Sequence, residues 1–161
     1  VSVLNGGLKK WKLEGKKVTN VKTKIIPSKY KAKENNNMIK VKSQIEDNII
    51  KKEFTVLDAR SKNRFLGLEK EPRHNVRSGS IKNSSCLPFG ELINTKDKTF
   101  IENNFIKEKF KDIGIINENN VVFSCGSGVT AAVLGLAYYL INDRYLPILY
   151  DGSWAEYGKK K

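Results

Sequence analysis

The sequence predicts an α/β fold, a parallel sheet covered by helices on both faces, and three observations lead there. Phe54-Thr55-Val56-Leu57, Asn120-Val121-Val122-Phe123-Ser124 and Pro147-Ile148-Leu149-Tyr150 are short, nearly continuous apolar runs, the pattern of strands buried on both faces. Between them lie segments of helical spacing: Val41 to Ile50, with Val41, Ile45, Ile49 and Ile50; Phe100 to Phe110, with Ile101, Phe105, Ile106 and Phe110 on one side; and Thr130 to Ile141. Buried strands separated by helices are joined by crossovers, which demand parallel strands. At 161 residues the chain holds one such domain and an appendage.

Taken in order, Val1 to Leu4 is a strand-like run and Asn5-Gly6-Gly7 a turn before Leu8-Lys9-Lys10-Trp11. Residues 1–18 read as the tail of a preceding domain. Residues 19–28, lysine-rich and closed by Pro27, read as a linker, and 29–161 as the main domain, with Lys29 to Lys33 as an edge strand. After the strand at 54–57, a charged loop from Asp58 to Ser80 leads to a short strand around Ile81 and a helical turn from Pro88 to Ile93. Asp151-Gly152-Ser153-Trp154 opens a last short helix, with Ser153 as its cap and Trp154 as core packing.

Charge and cysteine content narrow the function classes. Residues 1–52 carry 14 Lys and no Arg against 4 acidic residues, so +10 of the total +13 sits in the first third. These lysines alternate with Asn and Ile and have few aromatics among them. They read as a solvated surface, and nucleic acid is not expected as a partner. The longest apolar run, Ala131 to Ala137, falls short of the roughly 20 residues that span a bilayer. Two cysteines, Cys86 and Cys125, and one histidine, His74, form no metal-type cluster, so no metal and no cofactor are expected. No secretory signal opens the chain, which favours free thiols in an intracellular compartment, cytoplasm or mitochondrion.

Cys125 directly follows a buried strand, where doubly wound sheets bind ligands. Gly126-Ser127-Gly128 lets the backbone curl so that amides point at the sulfur before a helix begins near Thr130. Those amides and the positive helix end are expected to lower the thiol pKa below its free value of about 8.5. Strand, Cys, Gly-x-Gly and helix together mark a nucleophile. A tyrosine-phosphatase loop requires an Arg where this chain has Ala131, and a cysteine protease requires a base that only His74, in a charged loop, supplies.

Cys125-Gly126-Ser127-Gly128-Val129-Thr130, with Asp58-Ala59-Arg60-Ser61, Arg64-Phe65-Leu66-Gly67, Glu69-Lys70-Glu71-Pro72-Arg73 and Tyr150-Asp151-Gly152-Ser153-Trp154, resembles the catalytic C-terminal domain of the 3-mercaptopyruvate sulfurtransferases and related rhodaneses. The resemblance runs from about Lys29 to Tyr157, and Leu4-Asn5-Gly6-Gly7 with Trp11 resembles the tail of the non-catalytic N-terminal rhodanese domain. It implies a rhodanese-like sheet and a Cys125 persulfide cradled by the amides of Gly126, Gly128, Val129 and Thr130. It also implies a small-molecule sulfur donor, mercaptopyruvate in preference to thiosulfate, and a thiol acceptor such as thioredoxin, or cyanide.

By the same resemblance Arg64 and Arg73 hold the donor carboxylate, and Asp58 and Arg60 brace the loop. Ser127 joins a proton-handling set whose histidine and aspartate belong to the N-terminal domain, a missing partner. Two places depart from the family pattern: Gly79-Ser80-Ile81 stands where Gly-His-Ile is usual, and Cys86 where a strand-end Asn is usual. Cys86 reads as a buried spectator and His74 as an exposed loop residue. The alternative of a different class is a rhodanese-like binding or regulatory module that presents its basic surface to a partner or RNA.

Overall fold

Val121 to Ser124 is buried at every position, and Thr55 to Asp58 at all but the first. Such runs have no solvent face, so they take the middle of the sheet. The computed structural model describes residues 2–116 and 120–160. Its elements are α1 (Gly7–Leu13), α2 (Lys42–Lys51), β1 (Thr55–Asp58), α3 (Lys62–Phe65), β2 (Ser85–Cys86), α4 (Asn103–Asp112), β3 (Val121–Ser124), α5 (Val129–Ile141), β4 (Ile148–Leu149) and α6 (Ser153–Tyr157). Two short 3-10 turns, Asn36–Met38 and Phe89–Leu92, complete them.

The strands lie in the order β2-β1-β3-β4, and every pairing is parallel. Side chains alternate across the sheet. Leu57, Val121 and Phe123 face one core with Ile106 and Phe110 of α4 and Leu134, Ala137 and Tyr138 of α5. Val56 and Val122 face the other, with Ile45 of α2, Tyr150 just after β4, and Trp154 of α6. The expected architecture, a parallel sheet with helices on both faces, is the one present.

Several boundaries are set by packing that the sequence pattern does not show. Gly135 lets α5 close on the sheet, since a Cβ there would meet Pro147 at 3.1 Å and Phe123 at 3.5 Å. Asn48, buried at the end of α2, accepts from the amides of Glu53 and Phe54 at 2.8 and 3.1 Å and donates to the Phe54 carbonyl at 2.8 Å. It fixes the turn into β1. Tyr138 packs against Phe110, Phe123 and Tyr145 with ring centroids 4.8, 6.0 and 5.0 Å apart.

Four expectations are corrected. Lys29 to Lys33 forms no strand and is exposed, its alternate Tyr30 and Ala32 packing on no part of the core. The sheet edge is instead met by Ile39, bridged to Leu149, and by the Lys40 amide, which donates to the Leu149 carbonyl at 2.8 Å. The short strand near Ile81 lies at Ser85–Cys86, paired with Leu57 and Asp58, while Ile81 itself packs into the core from a loop. The amphipathic helix begins only at Asn103, because Phe100 is taken by a bridge to Ile93. Residues 7–13 are helical although none of them is buried. Among the described residues no helix is long and apolar enough to cross a membrane.

Candidate active site

β3 ends at Ser124 and Cys125 is the next residue. Asp58 of β1 lies beside Ser124 on one side and Cys86 on the other, so three strand ends share one rim. From β1 the chain leads outward to β2, and from β3 outward to β4, which makes this rim the switch point of the sheet.

The loop closes tightly around the sulfur. The Ser127 amide donates to Cys125 Sγ at 3.4 Å, and the Thr130 hydroxyl with the Thr130 and Ala131 amides also hydrogen-bonds it. Burial pushes the thiol pKa up, but these hydrogen bonds, led by Thr130 and Ser127, outweigh it and hold the thiol below its ordinary range. Helix α5 begins at Val129 and adds its positive end. Gly128 adopts φ +83°, and a Cβ there would lie 2.5 Å from Asp151 Oδ1, so no other residue fits.

Ser153 is the residue that ties the loop. Its hydroxyl accepts from the amides of Cys125 and Gly128 at 3.0 and 3.1 Å, donates to the Tyr150 carbonyl at 2.8 Å, and lies 4.0 Å from Cys125 Sγ. The expected cap role is therefore corrected: Gly152 is the cap residue of α6, and the Ser153 side chain turns inward. The Trp154 and Ala155 amides donate to the carbonyls of Cys125 and Gly126, each at 2.9 Å.

Above the loop stands a cluster of arginines organised by one carboxylate. Glu71 is buried, with its Oε2 3.2 Å from Arg60 Nη1, and its Oε1 paired with Arg64 Nη2 and 3.7 Å from Arg73 Nη1. Arg60 is itself buried. Its Nε and Nη2 donate to Asp58 at 2.7 to 3.1 Å, and Nη2 also donates to the Gly79 carbonyl at 2.8 Å. A Cβ on Gly126 would lie 3.0 Å from Arg73 Nη1 and 3.2 Å from Arg64 Nη2. Both guanidiniums thus hang over the residue beside the thiol, and Arg64 Nε is buried with no partner among the described residues.

Of the residues expected at the site, Cys125, Gly126, Gly128, Thr130, Arg64 and Arg73 are brought together, with Asp58 and Arg60 beneath them. Ser127 lies exposed at the rim, Val129 points to solvent at 74% exposure, and His74 is exposed. Cys86 is a different thiol: burial first, and then the Asp58 charge, push it up to about 12, and it lies 3.5 Å from the Arg60 carbonyl. Both cysteines are free, and among the described residues no His, Cys, Asp or Glu cluster fit for a metal occurs. Glu71 and Ser153 were not expected at the site. The only signal was their position inside recognisable motifs, Glu-Lys-Glu-Pro-Arg and Asp-Gly-Ser-Trp.

A parallel α/β sheet carries, at its switch point, a cysteine thiol held by a loop amide, with two guanidiniums over the adjoining glycine. Residues 41–160 match the rhodanese-like domain family, and the chain belongs to that family. It is 33% identical over 159 residues to the 3-mercaptopyruvate sulfurtransferase of Homo sapiens, covering 98% of this chain and 52% of that protein. It is 34% identical over 161 residues to the thiosulfate sulfurtransferase of Mus musculus, covering 99% and 54%. The solved 3-mercaptopyruvate sulfurtransferase of Leishmania major shares the fold with a TM-score of 0.77 at 25% identity, over 95% of this chain and 42% of that one. The chain spans about half the length of the curated relatives it matches.

Proposed function

We propose that this chain is the catalytic unit of a sulfurtransferase that carries sulfur as a persulfide on Cys125. The observation that carries this reading is a thiol held below its ordinary pKa by loop hydrogen bonds, with two guanidiniums over the adjoining Gly126. The first feature raises the thiolate fraction of Cys125, and the second suits an anionic donor.

In the proposed reaction the Cys125 thiolate attacks the sulfur of 3-mercaptopyruvate. The carbon–sulfur bond breaks, its electron pair leaves on the carbon as the enolate of pyruvate, and a proton from the donor thiol completes pyruvate. With thiosulfate the same attack on the outer sulfur expels sulfite with the electron pair. A thiol or cyanide then takes the outer sulfur and restores the thiolate. Mercaptopyruvate is the preferred donor on this reading, because Gly126 and Ser127 add no positive charge beside the nucleophile, whereas a dianion is favoured by added charge. The names of the relatives, which include both donors, support the class of reaction.

The test is the intact mass of the protein after incubation with each donor in turn. A gain of one sulfur atom, reversed by dithiothreitol and lost in Cys125→Ser, is expected. No gain from either donor ends the proposal.

A further inference from the structure

We propose that Glu71 sets the charge of the donor cradle and thereby its selectivity between monoanionic and dianionic donors, an inference that rests on the sulfurtransferase reading. The geometry is a relay of ion pairs running from the sheet to the thiol. Asp58 at the end of β1 grips Arg60, Arg60 grips Glu71 Oε2, and Glu71 Oε1 faces both Arg64 and Arg73. Those two guanidiniums in turn approach Gly126. Glu71 touches no reacting atom in this arrangement, so it is a positioning residue.

The charge count gives the inference its content. Three guanidiniums meet two carboxylates in this cluster, and one positive charge is left over. The carboxylates of Asp58 and Glu71 are 3% and 1% exposed, so solvent screens them little. Without Glu71, Arg64 and Arg73 are two like charges over one glycine, a cradle suited to a dianion. With it, their Nη atoms share a single oxygen, and the cradle offers one net charge. Among the described residues Arg64 Nε remains a buried donor without a partner, pointing to an acceptor that arrives with the ligand.

The experiment compares initial rates of sulfur loading from thiosulfate and from mercaptopyruvate, read by intact mass on the whole chain at low salt. Glu71→Gln keeps the shape and removes the charge, and the thiosulfate-to-mercaptopyruvate ratio is expected to rise about tenfold, the effect of one added unit charge in a poorly screened site. Glu71→Asp keeps the charge but is too short to reach both sides; it should slow both donors and leave the ratio unmoved. Arg64→Gln, on a partly exposed side chain that serves if Glu71→Gln does not fold, lowers the net charge and should move the ratio the opposite way. A ratio that stays constant in folded Glu71→Gln and in Arg64→Gln overturns the proposal. If the wild-type chain takes sulfur from neither donor, the sulfurtransferase reading fails instead. The rate of Cys125 alkylation by iodoacetate relative to iodoacetamide then reads the cradle charge without sulfur transfer. A rise in that ratio in Glu71→Gln sustains the role of Glu71, and no change refutes it.

Discussion

Two cysteines in one small domain are held at opposite ends of thiol chemistry, and the difference lies in what each sulfur can accept. Cys125 is 1% exposed yet receives loop hydrogen bonds that favour its anion. Cys86 is more accessible, but it is desolvated beside Asp58 and pushed up to about 12. Alkylation follows the thiolate fraction, which rises as pH climbs through the pKa. Cys125 should therefore react with iodoacetamide along a curve whose midpoint lies below the free-thiol value of about 8.5, while Cys86 stays nearly inert up to pH 9. Peptide mapping after a pH series checks this, and Cys86 labelling ahead of Cys125 would reverse the assignment.

The proposed anion clamp is separable from the proposed nucleophile. Arg64→Ala should raise the mercaptopyruvate KM with a loss of about 1.5–3 kcal/mol, the range for a hydrogen bond to a charged group, while the thiol still reacts with iodoacetamide. An unaltered KM would remove Arg64 from donor binding and leave it as a partner of Glu71 alone. Donor preference is best probed at Ser127, because a side chain on Gly126 would collide with both arginines, whereas Ser127 is exposed at the rim. Ser127→Lys should shift kcat/KM toward thiosulfate at low salt and lose that shift as salt screens the added charge. A ratio insensitive to both changes would remove position 127 from donor selection.

At the scale of elements, the Cys125 loop is as much a product of α6 as of β3. Ser153 satisfies two buried amides and the following helix holds two loop carbonyls. Ser153→Ala leaves those amides without an acceptor, at a cost of about 1–3 kcal/mol. Urea unfolding should show that loss, and the alkylation midpoint of Cys125 should move up in the same variant as the loop loosens. A stability loss with an unmoved midpoint would limit Ser153 to a structural role.

The same elements show where the sequence is readable. β1 and β3 are legible because strands buried on both faces leave continuous apolar runs, and Cys125 is legible because strand, cysteine, paired glycines and helix follow one another directly. Ser153 acts on a residue 28 positions away, so no local pattern announces it. Glu71 sits in Glu69-Lys70-Glu71-Pro72-Arg73, where hydropathy offers nothing to tell the buried glutamate from the exposed one. β2 escapes notice because two half-buried residues have no period.

For the whole molecule, charge and order divide along the chain. Residues 19–35 are exposed throughout and hold no helix or strand, and they carry lysines at 22, 24, 29, 31 and 33. The domain from Ile39 onward is tied into the sheet. Brief trypsin treatment should cut first between Lys16 and Lys33 and leave 41–160 intact. Mass analysis of the early fragments checks this, and first cuts within α4 or α5 would contradict it.

The clasp between α6 and the Cys125 loop also bears on biosynthesis. Ribosomes extend a chain from its N-terminus, so Cys125 is made 28 residues ahead of the serine that shapes its surroundings. Until Ser153, Trp154 and Ala155 have been added and docked, the loop amides have no fixed target. The nascent sulfur is then an ordinary cysteine with a pKa near that of free thiol. Nucleophilic character therefore arrives late and all at once, when the domain closes. A nascent chain stalled before residue 153 is expected to be no more reactive toward iodoacetamide than unfolded peptide.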